Sequence, residues 1–374
     1  MSLEQKKIMV VKIGSSTLVT GEGKLDTAYL ATLASQISGL RQRGWSPIVT
    51  SGAVACGLEA LGISTRPSDT PSLQAAASVG TNILVSSYAR AFKAHDMLTS
   101  LVLITRQVTA DREQYLHVRD TLERLLDLEV VPLINENDTV SVDQLCFGDN
   151  DTLAALVACL VKAQLCVIFS DIEGLFTANP FEDATATLIP EVSSITPDIM
   201  ALASGSSSTV GSGGMTTKIR AARVLMAAGI DMVICQGHNS DFLIQLAEGQ
   251  SLGTRFSPCG TVHDITPKKL WIALGDTAKG SLIVDEGAAE ALVSRGSSLL
   301  AVGVCGVEGS FAREDIVDIV NTSGRIIARG KAGASSSEIT LACGRSQREI
   351  KGNELLRDLA QRPVVHRDEL VVFE

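Results

Sequence analysis

Over its first two-thirds the chain alternates short, mostly apolar runs with longer stretches whose apolar positions recur every three or four residues. The short runs are too uniformly apolar for strands with one wet face, so they read as strands buried on both sides. Ile8–Ile13, Pro47–Thr50, Leu101–Ile104, Val130–Ile134, Leu165–Phe169 and Met232–Cys235 are of this kind. Between them the helical period takes over. Asp26 opens a helix with Leu30, Leu33, Ile37 and Leu40 on one face and Gly44 at its end. Asp is a favoured N-cap, and Gly tolerates the left-handed backbone that ends helices. Gln74–Ala94, Tyr115–Leu126, Asp151–Lys162 and Met215–Ala228 carry the same period. The alternation predicts an α/β domain with a mostly parallel sheet sandwiched by helices.

The pattern breaks near Phe256–Lys269, where Ser257-Pro-Cys-Gly260 and Thr266-Pro267 interrupt it. Beyond Trp271 the runs become short and Gly-punctuated: Ser281–Val284, Ser298–Val304, Asp315–Val320 and Arg325–Ala328, with one helix at Ala288–Ser294 and another after Ser346. This half predicts a small, β-rich, barrel-like domain. The expected boundaries are a first domain at 1–258, a linker at 259–273, and a second domain with a C-terminal tail at 274–374.

Composition sharpens this picture. The chain is 45% hydrophobic but only 4% aromatic, so Ala, Val, Leu and Ile fill the core, as buried parallel strands require. A formal net charge of −10 argues against broad binding to nucleic acid or membrane. None of the eight cysteines forms a Cys-x-x-Cys pair and most sit in apolar runs, so they are expected to be reduced core residues. The apolar run after Lys6-Lys7 is too short for a signal peptide, and no 18-residue apolar stretch occurs; a soluble, cytoplasmic location is expected.

Candidate chemistry gathers where such sheets bind ligands, at the carboxyl ends of strands. Lys12-Ile-Gly-Ser-Ser16, Thr50-Ser-Gly-Ala53, Asn135-Glu-Asn-Asp138 and Ser170-Asp171 each follow a strand. Gly211-Ser-Gly-Gly-Met-Thr-Thr-Lys218 runs into a helix, so small residues, free N–H groups and a lysine converge as a polyphosphate would need. It matches neither the Gly-x4-Gly-Lys-Ser/Thr loop nor the dinucleotide fingerprint, and by itself it reads equally as a flexible Ser/Gly linker. Lys12 and Lys218 could place positive charge on two sides of a migrating phosphoryl group. Gly148-Asp-Asn-Asp151 opens a helix with more polar groups than one cap requires. With Asn135–Asp138 it suits an ammonium group, while the Ser51-Gly52-Ala53 turn offers N–H donors to a carboxylate; an amino acid carries both. The five histidines stand apart, and neither a nucleophilic triad nor metal-ligand His/Cys spacing occurs.

In order, Val10-Val-Lys-Ile-Gly14, Thr50-Ser-Gly-Ala53, Arg106-x4-Asp111-Arg112, Ile134-Asn-Glu-Asn-Asp138, Gly148-Asp-Asn-Asp151 and Gly213-Gly-Met-Thr-Thr-Lys218 resemble the glutamate 5-kinase family. Asp285-Glu-Gly-Ala288, Arg295-Gly-Ser-Ser-Leu-Leu300 and Val365-His-Arg-Asp368 resemble its C-terminal PUA domain. The resemblance implies an amino acid kinase fold and ATP-dependent phosphorylation of the glutamate side-chain carboxylate, the first step of proline biosynthesis. It implies that Lys12 and Lys218 stabilise the transferring phosphoryl group and that Asp151 orients them. Ser51, Asp138 and Asn150 would hold glutamate. Lys12, Ser170, Asp171, Ser212, Gly213, Gly214, Met215, Thr216, Thr217 and Lys218 would hold ATP, with Mg²⁺ bridging its phosphates. It further implies proline feedback inhibition and a homodimer or homotetramer. Where the family commonly has Thr-Asp and Thr-Gly-Gly-Met, this chain has Ser170-Asp171 and Ser212-Gly-Gly-Met215, each keeping a hydroxyl. Two other readings stand beside it. One is a sibling kinase acting on N-acetylglutamate, aspartate or carbamate, against which Asp138 and Asn150 argue by favouring a free amino group. The other is an RNA-binding PUA protein, resting on a small basic strip of Arg325, Arg329 and Lys331.

Overall fold

The computed structural model describes residues 6–20, 24–105, 107–140, 150–204, 214–238, 241–258, 266–274 and 278–373. The chain divides into two compact units: Met1–Ser194 with Met200–Pro258, and Ile195–Ile199 with Cys259–Glu374.

In the first unit β1 (Lys7–Ile13), α1 (Ser15–Leu18), α2 (Thr27–Gln42), β2 (Trp45–Ser51), α3 (Val54–Ala60) and α4 (Thr70–Lys93) come first. Then follow β3 (Thr99–Ile104), α5 (Gln107–Ala110), α6 (Arg112–Asp127), β4 (Val131–Glu136), α7 (Asn150–Leu160) and β5 (Leu165–Ser170). The remaining elements are β6 (Glu191–Val192), α8 (Pro197–Ser204), α9 (Met215–Ala227), β7 (Asp231–Gln236), α10 (Phe242–Ala247) and β8 (Thr254–Phe256). The strands form one eight-stranded sheet in the order β3-β4-β2-β1-β5-β7-β8-β6. All pairs are parallel except β7–β8.

The period-2 rule assigns the faces. Met9, Val11 and Ile13 share a core with Leu30, Leu33 and Ile37 of α2 and Leu84, Tyr88 and Phe92 of α4. Ile8, Val10 and Lys12 alternate to the opposite face, which α7 and α9 cover. The Asp26 side chain accepts from the Tyr29 N–H at 2.9 Å, and Gly44 takes φ +79°, so the caps of α2 lie where the sequence puts them. Helices α3 and α4 meet almost backbone to backbone. A Cβ on Gly57 would lie 1.7 Å from the Ala76 carbonyl oxygen, and one on Gly80 would lie 2.0 Å from that of Ala53.

The second unit holds α11 (Pro267–Leu274), β9 (Gly280–Val284), α12 (Glu286–Arg295), β10 (Val304–Gly309), β11 (Ile316–Val320) and β12 (Ile326–Lys331). It ends with α13 (Ser336–Ala342), α14 (Gln347–Gly352), α15 (Arg357–Gln361) and β13 (Leu370–Val372). Its sheet has the order β10-β9-β11-β12-β13, antiparallel except for β9–β11. Leu282, Val317, Ile319, Ile327 and Ile339 fill its core. Two local expectations change here. Residues 267–273 lie within the segment expected as a linker but form α11, because Pro267 suits the first turn of a helix and Leu270 and Ile272 are fully buried. Ser298–Val304 is not a continuous strand: Leu299 makes a single bridge to Val365, a 3₁₀ turn covers Ala301–Gly303, and β10 starts only at Val304. Cys56, Cys159, Cys166 and Cys235 are buried and free, as expected, whereas Cys305 is exposed; Cys146 and Cys259 lie outside the described residues.

Candidate active site

Strand order reverses at β1. From it the chain first builds outward through β2, then returns to add β5 on the other side. The crevice at the carboxyl ends of β1 and β5 is therefore the switch point, where parallel sheets take ligands. Lys12 sits there, in register with Thr50 of β2 and Ile168 of β5. Asp151 sits in the first turn of α7, and Lys218 one turn into α9. Side-chain exposures of 9%, 0% and 7% place all three groups out of bulk water.

The geometry is a bridged triad. The Lys12 Nζ lies 2.7 Å from Asp151 Oδ1, and the Lys218 Nζ lies 3.1 Å from Oδ2. The Thr217 hydroxyl stands 3.2 Å from Oδ2 and 2.7 Å from the Gly214 carbonyl oxygen, its other acceptor. Burial works to raise the Asp151 pKa, but the two ammonium groups outweigh it and hold the carboxyl below the usual range. One carboxylate between two ammonium groups leaves a net positive charge in a low-dielectric site, the condition for holding an anionic phosphoryl group.

Three turns meet beside the triad. A Cβ on Gly52 would lie 2.9 Å from the Ser15 Oγ and 3.0 Å from the Asn150 Nδ2, so the turns after β1 and β2 and the start of α7 converge on one point. A Cβ on Gly14 would press the Phe169 carbonyl oxygen at 3.2 Å, closing the turn after β1 onto β5. Ser51 is buried at the end of β2. Asp138 is half-buried after β4; burial raises its pKa, partly offset by Arg66. Sequence reasoning missed Arg66, which lies in a polar loop without any pattern to single it out. Ser170 is buried at the end of β5, and its hydroxyl donates to Asp171 Oδ1 at 3.0 Å. Gly214 caps α9, Met215 is buried, and the Thr216 hydroxyl donates to the Ala203 carbonyl oxygen at 3.2 Å. Ser212 and Gly213, like Arg106, Gly148 and Asp149, lie outside the described residues.

In the second unit the expected basic strip is largely committed. Arg329 is buried and holds Asp318 through Nε at 2.7 Å and Nη2 at 3.1 Å, and Lys331 pairs with Glu314. Among the described residues no helix is long and apolar enough to cross a membrane, and no three His, Cys, Asp or Glu side chains are placed to hold a metal ion.

Comparison with known proteins places this geometry. The amino acid kinase family model matches residues 7–236, and the PUA domain model matches 280–352. A glutamate 5-kinase from Myxococcus xanthus is 44% identical over 372 residues, covering 100% of this chain and 98% of the relative. One from Burkholderia ambifaria is 43% identical over 372 residues, covering 99% of each. Among solved structures, carbamate kinase from Giardia lamblia bound to AMP-PNP superposes with a TM-score of 0.50 at 17% identity, over 68% of this chain and 99% of that one. A UMP kinase from Bacillus anthracis gives 0.50 at 12% identity, over 68% and 97%. At these identities the two structures speak for the fold alone.

Proposed function

The chain belongs to the glutamate 5-kinase family, an amino acid kinase domain followed by a PUA domain, and from that premise we propose how its residues carry the reaction. The enzyme transfers the γ-phosphoryl group of ATP to the side-chain carboxylate of L-glutamate and forms L-glutamyl 5-phosphate, the first step of proline biosynthesis. A carboxylate oxygen of glutamate attacks the γ-phosphorus, the new P–O bond forms, and the bond to the β-phosphate oxygen breaks to release ADP. The attacking group is already ionised at neutral pH, so no general base is needed. The observation that carries the assignment of roles is the buried Lys12–Asp151–Lys218 triad at the switch point.

Lys12 and Lys218 donate to the oxygens of the migrating group, where negative charge spreads in the transition state. Asp151 holds the two ammonium groups in position from its separate oxygens. Ser51, Asp138 and Asn150 bind glutamate: the acidic and amide groups take its ammonium, and the turn after β2 takes its main-chain carboxylate. Lys12, Ser170, Asp171 and the Ser212–Lys218 segment bind ATP. Asp151 is engaged by two lysines, so Mg²⁺ would be held by the phosphate oxygens of ATP rather than by that carboxylate. Once bound there, it would neutralise charge on those phosphates. The same reading includes proline as an inhibitor at or beside the head-group pocket and a homo-oligomeric assembly.

The test is ADP release with Mg-ATP and hydroxylamine, comparing L-glutamate, N-acetylglutamate and L-aspartate. Hydroxylamine traps an acyl phosphate as a hydroxamate. Hydroxamate with free glutamate alone is expected; product with N-acetylglutamate instead would remove the ammonium-binding role of Asp138 and Asn150.

A further inference from the structure

The described cysteines divide by unit. Cys56, Cys159, Cys166 and Cys235 are buried in the first, whereas Cys305 is exposed and Cys343 half-buried in the second. Local structure explains both positions. The β10–β9 ladder pairs Val304 with Val284 and Gly306 with Ile283, so Cys305 is an extra residue without a partner of its own. A bulge of this kind re-aims its side chain, and the Cys305 thiol donates to the Ile283 carbonyl oxygen at 3.5 Å. Cys343 is the C-cap of α13. Its N–H donates to the Ile339 carbonyl oxygen at 3.1 Å, and Gly344 at φ +70° then turns the chain away. Helix α13 runs back along β10. The Ser336 N–H donates to the Phe311 carbonyl oxygen at 3.0 Å, which ties the start of α13 just beyond the end of that strand. The helix then packs across β10 to the 3₁₀ turn Ala301–Gly303 that leads into it. Ile339 and Ala342 share the core there with Ala301 and Val304. The end of α13 therefore arrives at the start of β10, which brings Cys343 to Cys305.

We propose that Cys305 and Cys343 form a reversible dithiol–disulfide pair, closed by exchange with a small-molecule disulfide such as oxidised glutathione. Unequal exposure sets the order of events. Cys305 meets solvent and reacts first: its thiolate bonds to one sulfur of the small disulfide, whose S–S bond breaks and releases one thiolate. Burial pushes the Cys343 thiol up, and negative charge on the neighbouring Cys305 sulfur pushes it further. The mixed disulfide on Cys305 removes that charge, so Cys343 ionises more readily once its partner is capped. The Cys343 thiolate then attacks the Cys305 sulfur and expels the second small thiolate. The two released thiolates take up the two protons that the cysteines lose. In sum, two cysteine thiols give up two electrons and one small disulfide is reduced to two thiols. The closed ring contains β11 and β12, so the bond restricts the unfolded chain of this unit and fastens α13 to its sheet. A surface disulfide of this kind reopens when the surrounding thiol pool is reducing.

The test exposes the full chain to oxidised glutathione, alkylates the thiols that remain and maps the peptides by mass spectrometry. A cross-linked Cys305–Cys343 peptide is expected, lighter by two hydrogens than its two halves together and lost on reduction with dithiothreitol. Cys343→Ser removes the resolving thiol and should leave glutathione bound to Cys305. Cys343→Ala, which adds no polar group to the half-buried position, should do the same. Cys305→Ser should leave Cys343 largely unmodified under the same exposure. Glutathione persisting on Cys305 of the wild type to the extent seen in Cys343→Ser would overturn the proposal. So would Cys305 joined to any other cysteine or to a second chain, or a wild type in which neither thiol reacts. Closure is also expected to raise the unfolding temperature of the second unit by several degrees over the reduced chain, a shift that the serine variants should lack. A cross-linked chain that melts with the reduced one would remove the fastening of α13.

Discussion

A lysine at the end of an apolar strand has two fates, snorkelling to solvent or holding an anion, and burial decides between them for Lys12. It lies with Lys218 on opposite oxygens of a fully buried carboxylate. On the proposed role, in which the charge of Lys218 acts where phosphoryl charge develops, Lys218→Ala should lower kcat by ~100-fold or more with a much smaller change in the glutamate KM. Steady-state kinetics checks this, and an unchanged kcat would reject the role. Asp151→Asn leaves two buried ammonium groups without their counter-charge and should cost about 3–5 kcal/mol near neutral pH. Because the folded pKa of Asp151 is depressed, its stabilisation is fully present above its unfolded pKa, about 4, and is lost as pH falls through the lower folded value. Denaturant titrations should therefore show the gap between the wild type and Asp151→Asn holding above about pH 4 and narrowing below it. At this scale the sequence was informative where a polar residue interrupts or ends an apolar run, as Lys12 and Ser170 do, or where polar groups crowd a helix start, as at Asp151.

At the scale of elements, strand–helix alternation was readable because strands covered on both faces are mostly apolar, and because Asp26 and Gly44 mark the ends of α2 by ordinary capping chemistry. Short elements escaped. Helix α3 has only seven residues, about two turns, and carries no amphipathic stripe. Helix α11 follows a Thr-Pro break that resembles a linker until Leu270 and Ile272 are seen to be buried. The α3–α4 contact holds the turn after β2 in place through close backbone approaches at Gly57 and Gly80, outside the segments proposed to bind glutamate. Gly57→Ala would push a methyl group into the Ala76 carbonyl and should lower stability by ~2 kcal/mol or more, measured by denaturant unfolding. A change within a few tenths of a kcal/mol would show that the two helices can part without cost.

For the whole molecule, every side chain given a role in phosphoryl transfer belongs to the first unit, although that unit is interrupted by Ile195–Ile199, which groups with the second. A chain ending after Pro258 keeps β8 and its pairing to β6 and β7. It should retain measurable glutamate-dependent ADP release but melt at a lower temperature, since it keeps Ile195–Ile199 without the rest of its unit. A folded truncation with no activity would move part of the site into the second unit. The sheet order also governs how the protein reaches this state. Its first strand is central, and the Ile8 N–H bonds to the side chain of Gln164, 156 residues later. During synthesis β1 can pair early with β2, but its other edge stays open until β5 has emerged. Such a nascent chain carries an exposed, mostly apolar strand edge for most of the domain's translation. Its yield in the cell is therefore expected to respond to chaperone cover and elongation rate as well as to the stability of the finished fold.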